Sequence, residues 1–172
     1  LRDQGFSSLG NISLGITFAL LAFMSPVASL CAQKYDCRIV VNVGALSYFL
    51  FIIALFLPTL KEQYPDSDSV IFSDAFIISA IIVTSVIRGT GGAMYWVGGL
   101  SYLRQCSNDE NKGLHFGIHS SLSQSNIMFG SLISAFLLGK TSKFLFFIVM
   151  GIINLVACLS FLFLGKPEKD ED

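Results

Sequence analysis

The chain has 172 residues, a length that ordinarily gives one soluble domain around one core. Composition excludes that reading: 53% of the residues are hydrophobic and only 13% are charged, against about one quarter in an average soluble domain. A formal net charge of −1 supplies no basic face for nucleic acid, so DNA and RNA are not expected as partners.

Five apolar runs organise the chain into predicted spans. Each is near the roughly 20 residues that a helix needs to cross about 30 Å of hydrocarbon. The first covers 9–32 and the second 39–60. The third covers 76–103, the fourth 114–138 and the fifth 144–164. A backbone in lipid must satisfy its own hydrogen bonds, and these runs lack the alternation of a barrel strand, so the expectation is an all-α polytopic bundle over 1–165. A charged, solvated tail is expected over 166–172. The expected connections are short and polar: 33–38, 61–74 with Pro65 and two aspartates, 105–113, and Lys140 to Lys143.

Basic residues at the span ends set the orientation. One side holds Lys34, Arg38, Arg104, Lys112, Lys166 and Lys169, and the other holds Arg2, Lys61, Lys140 and Lys143. This places the 33–38 turn, the 105–113 loop and the tail in the cytosol. The glycosylation sequence Asn11-Ile12-Ser13 falls in the first span and is not expected to be used. Cysteines 31, 37, 106 and 158 form no paired motif of a zinc or redox site, although Cys37 and Cys106 are expected on the same membrane side.

The third span carries two signals. Ser85, Gly89, Gly92 and Gly99 fall on one helical face, and small residues at such spacing let backbones approach closely in lipid. Arg88 sits mid-span, where a charge costs at least ~2.5 kcal/mol, so it is expected to face the bundle interior. Gln124, Ser123 and Asn126 of the fourth span are its expected polar neighbours.

The fourth span has a polar stripe of His115, His119, Ser123, Asn126, Gly130 and Ser134, with Ser120 and Gln124 beside it. Such a stripe lines a cavity or bonds to another helix. His115 and His119 have the spacing of two metal ligands, but no third ligand is evident, so hydrogen-bonded histidines are the reading and no metal is expected. No serine has a base and an acid placed to orient it, and Gly89-Thr90-Gly91-Gly92 lacks the lysine of a phosphate-binding loop. Neither an enzyme nor a cofactor is expected.

Several residues of the third span are similar to a hallmark of the Unc-ninety-three family, relatives of the major facilitators. They are Gly89, Gly91, Gly92, Ala93 and Trp96, closed by Tyr102 and Leu103. A second stretch resembles the family over Phe116-Gly117-Ile118, Gln124-Ser125, Gly130, Leu132, Ile133 and Ser134. Leu9-Gly10, the basic turn from Lys34 to Arg38, Gly44 and Tyr48 fit as well. Gly99 and Ser131 depart from the family pattern. The resemblance implies a partial major-facilitator-like half matching helices two to six. It also implies a covering partner, either an N-terminal helix and C-terminal half or other membrane subunits, besides the membrane lipid. The function implied is an accessory protein that regulates or scaffolds a channel, receptor or larger complex. The alternative is a solute transporter of the same fold. Candidate cavity or partner contacts are Arg88, Trp96, Tyr102, His119, Ser123, Gln124 and Asn126; candidate helix-packing positions are Ser85, Gly89, Gly92, Gly99 and Gly130.

Overall fold

Each predicted span forms a helix, and polar side chains set the ends that hydropathy alone leaves ragged. The computed structural model describes residues 8–65 and 69–167; Arg2, Asp66, Asp68, Lys169 and the rest of the tail from 168 lie outside the described residues. The helices are α1 (Leu9–Lys34), α2 (Cys37–Gln63), α3 (Asp74–Gln105), α4 (Lys112–Lys140) and α5 (Lys143–Phe161), with a 3-10 turn at Val70–Phe72. Asp36 starts α2 by accepting from the Arg38 amide, Ser73 starts α3 by accepting from Phe76, and Ser142 starts α5 by accepting from Leu145. Such caps satisfy amide groups that a helix start leaves without partners. The fifth helix ends at Phe161, short of the expected 164. There the amides of Leu162 and Phe163 fold back onto the carbonyls of Leu159 and Ser160, which tightens the chain out of the α-helix.

All five helices are long and apolar enough to cross a membrane, and the protein is an integral, multi-pass membrane protein. The chain runs up and down, so the α1–α2 turn, the α3–α4 loop and the end of α5 gather at one end of the bundle. Several side chains tie that end together. Gln105 donates to the Cys37 sulfur at 3.2 Å, Tyr102 donates its hydroxyl to the Gly165 carbonyl at 3.0 Å, and Asn42 donates to the Phe161 carbonyl at 3.1 Å. The opposite end is joined by ion pairs of Lys61 with Asp74 and of Lys143 with Glu62.

The central helix is α3, packed between α1 and α2. Its fully buried residues Ile77 and Ile81 meet Leu9 and Ala54 in the core, and Thr17 of α1 reaches the carbonyl of Ser85, which is fully buried too. Where α3 crosses its neighbours, small residues bring the backbones together. A Cβ on Gly89 would stand 2.8 Å from the Thr17 carbonyl oxygen of α1, and one on Gly44 of α2 would stand 2.7 Å from the Gly91 carbonyl oxygen. Helix α5 packs on α2 through Phe56, which sits 5.3 Å from Phe144 and 5.9 Å from Phe147 between ring centroids. Helix α4 touches α3 and α5 only lightly, and none of its residues is buried.

The packing positions read from the sequence do not all meet neighbours within this chain. Ser85, Gly89 and Gly92 do pack, but nothing lies within 4 Å of a Cβ built on Gly99 or Gly130. The reason is that α3 has two glycine faces rather than one. Gly89 turns to α1, while Gly91 and Gly98, about 160–180° further round at 100° per residue, turn to Ser47 and to Val40 and Val41 of α2. Gly99 falls between these faces, and Gly130 belongs to the loosely held α4.

Candidate functional site

The wide spacing of α4 from α3 leaves a cavity of about 560 Å³ between α2, α3, α4 and α5, within the range of small-molecule sites. Its floor is aromatic. Tyr48 of α2 meets Tyr95 of α3 edge-on at 5.6 Å, Tyr95 meets Trp96 at 5.8 Å and Phe161 of α5 at 5.5 Å, and Trp96 stands edge-on to the His119 ring at 6.5 Å. Edge-on pairs align the positive ring edge with the neighbour's negative face, which holds the rings in one arrangement. Polar groups enter from the other wall: His119, Ser123 and Asn126 from α4, and Asn154 and Cys158 from α5. Among the described residues, no Asp, Glu, Lys or Arg lines this cavity.

Five of the candidate contacts read from the sequence therefore meet here: Trp96, Tyr102, His119, Ser123 and Asn126. Gln124 does not. It follows Ser123 by about 100° of helix rotation and lies exposed, off the stripe that faces the cavity. His115 is also outside; its Nδ1 lies 2.9 Å from the Ser107 hydroxyl in the α3–α4 connection. Sequence reading missed Tyr48 and Tyr95 as cavity walls, and the α5 contributions altogether. Asn154 was the available signal there: an amide inside the otherwise apolar stretch 144–159 needs a reason.

Arg88 faces a second, open space of about 460 Å³, bordered by the first turns of α1, the middle of α2 and α3. Its guanidinium carbon lies 4.6 Å from the Phe51 ring centre and 5.3 Å from that of Tyr48. The expected neighbours Gln124, Ser123 and Asn126 are replaced by these rings. The phase of α3 explains why: Arg88 projects between the Gly89 face on α1 and the Gly91 face on α2, and so into the groove those helices form. Tyr48 and Ile52 line both spaces. Asn11 also lines the second space from within α1.

At the bundle end below the cavity, Arg38 is gripped by Asp36. Its Nε lies 3.1 Å from both carboxylate oxygens, and its Nη2 lies 2.6 Å from one of them. The Arg38 bonds hold the Asp36 carboxyl at about 2, below its ordinary 3.8. Nη1 of Arg38 reaches on to the Leu164 carbonyl at 3.4 Å.

The family model of the Major Facilitator Superfamily matches residues 2–172. UNC93-like protein MFSD11 of Xenopus tropicalis is 23% identical over 177 residues, which cover 99% of this chain and 36% of that protein. The chain thus spans about a third of the length of this relative. No solved structure matches the chain significantly. With the matching family model running through all five membrane helices, the chain belongs to the Major Facilitator Superfamily and is related to its UNC93-like members.

Proposed function

We propose that the chain forms part of a solute-binding membrane carrier, with the aromatic cavity as its contact surface for a small neutral molecule. The observation that carries this reading is the lining itself. Rings from α2, α3 and α5 that meet edge-on face hydrogen-bonding groups from α4 and α5, with no full charge among the described lining residues. That combination suits an uncharged ring compound bearing a donor or acceptor, since rings bury its faces and Asn126, Asn154 or His119 orient its polar atom. A charged solute would lose its hydration there without a counter-charge in return.

The test uses the intact natural protein in lipid nanodiscs with indole as the probe. Indole should raise the unfolding temperature, and Ala157→Trp, which fills the cavity from α5, should remove the shift. Liposomes carrying the protein should also release trapped indole faster than bare ones, beyond its passive leak. Absence of any shift with indole, phenol or related neutral ring compounds would rule this reading out.

A second reading has its own observation. No residue of α4 is buried, and Gly117, Gly130 and Gly139 leave open space along it. Small residues exposed along a membrane helix favour close packing with another helix. An accessory protein that regulates or scaffolds a channel, receptor or larger complex would use such a face. Copurification of a defined membrane partner, lost on Gly130→Leu, would support it.

A further inference from the structure

Arg88 is held in an unusual way for a charge so deep in a membrane helix. It stands roughly 20 Å or more from either end of α3, beyond the reach of snorkelling. Two aromatic faces, those of Phe51 and Tyr48, take up the cation. Rings act on the face of a guanidinium. Its N–H donors lie in its plane, around the edge, and a ring leaves them without acceptors. Among the described residues no oxygen accepts from Arg88, and no Asp or Glu lines its space. That space is open beside it, and its polar wall includes the Asn11 amide, which also makes no hydrogen bond among the described residues.

We propose that Arg88 is an anion site: its free edge takes one carboxylate group in the space between α1, α2 and α3, with Asn11 beside it. The chemistry points to a carboxylate. Its two oxygens match the paired N–H groups of one guanidinium edge. One arginine balances one negative charge, whereas a phosphate dianion would carry an unbalanced charge into a mostly apolar space. The carboxylate belongs either to a small organic acid or to an Asp or Glu side chain of another helix. This site is separate from the neutral-lined cavity, and the inference stands whether or not that cavity binds a solute.

Benzoate is the probe, with benzamide as its uncharged counterpart, titrated by calorimetry into the intact natural protein in nanodiscs. For a small-molecule site, benzoate should bind roughly tenfold or more tightly than benzamide, as expected for loss of a charged hydrogen-bond pair. Arg88→Gln should abolish the difference, and Arg88→Lys should keep part of it. The comparison of the two probes needs no variant, so it holds even if Arg88→Gln fails to fold. Isotope-labelled arginine read by NMR separates the two sources. If a side chain of the protein fills the site, the Arg88 guanidinium protons are already downfield and slowly rotating before any addition, and benzoate leaves them unchanged. Freely rotating guanidinium protons that ignore benzoate, with benzoate and benzamide binding alike, would overturn the proposal.

Discussion

Gly44 of α2 and Gly91 of α3 meet backbone to backbone: a Cβ on Gly44 would stand 2.7 Å from the Gly91 carbonyl oxygen and 2.5 Å from the Tyr95 nitrogen. On the other side, a Cβ on Gly91 would collide with the Ser47 side chain. Backbone cannot yield as the tip of a side chain can. Gly44→Ala should therefore destabilise the bundle by about 1–3 kcal/mol through overpacking. Gly99→Ala, with open space around it, should change stability little or raise it through helix propensity. Unfolding temperatures in mild detergent compare the two directly; equal losses would show that α2 and α3 do not cross at Gly44.

Asn42 fastens α5 to α2. Its amide nitrogen donates to the Arg38 carbonyl at 2.8 Å and to the Phe161 carbonyl at 3.1 Å, the second of these at the last residue of α5. Asn42→Leu leaves that carbonyl only the longer bond from the Leu164 amide at 3.3 Å and should lose about 1 kcal/mol. The effect should be local. Hydrogen exchange should rise at 160–164 and stay unchanged at the start of α5, where Phe56 and Phe144 still pack. Uniform exchange along α5 would argue against a fastening at this point.

Acid should loosen the α1–α2 turn in a defined window. The folded Asp36 carboxyl titrates at about 2 instead of 3.8, so it binds its proton less readily folded than unfolded. Its stabilisation is complete above 3.8 and fades as the pH falls through about 2. Both partners are about one-third exposed, so the effect is modest and salt-sensitive. Asp36→Asn should lower the unfolding temperature slightly at neutral pH, with the gap to the natural protein closing across that window. A gap that persists at pH 2 would assign the effect to something other than this charge.

Cysteine chemistry reports both topology and packing. Cys106 is exposed, whereas Cys37 at the same end is buried, with its sulfur donating to the Ala32 carbonyl and accepting from Gln105. An impermeant maleimide should label Cys106 from the same side as a cysteine placed at Lys34, and from the side opposite to one placed at Lys61. Cys37 should react only after unfolding. Labelling of the Lys34 and Lys61 positions from one side would contradict the up-and-down course of α1 and α2.

Hydropathy and end charges made the five helices legible because crossing lipid demands one long apolar run per helix, and that demand is written locally. Helix contacts are not local in the same way. Gly89 and Gly91 look equivalent in sequence, yet one serves α1 and the other α2, because the crossing depends on both neighbours at once. The stripe of His119, Ser123 and Asn126 was readable because its spacing alone puts it on one face. Its opposite wall was not, since Tyr48, Tyr95 and Asn154 come from three helices with no common period. Arg88 could be assigned to the interior from its cost in lipid. Its aromatic neighbours could not be assigned, since α2 contributes Tyr48 and Phe51 through its own rotation.

Tyr48 is a shared wall: one ring borders the Arg88 space and the aromatic cavity, touching the guanidinium and Tyr95 alike. A wall common to two rooms cannot shift for an occupant of one without changing the shape of the other. Any molecule that moves this ring on entering either space must therefore alter affinity in its neighbour, and linkage makes the factor identical in both directions. Tyr48→Phe leaves the ring in place and should preserve that reciprocity, while Tyr48→Ala should merge the two spaces and abolish it.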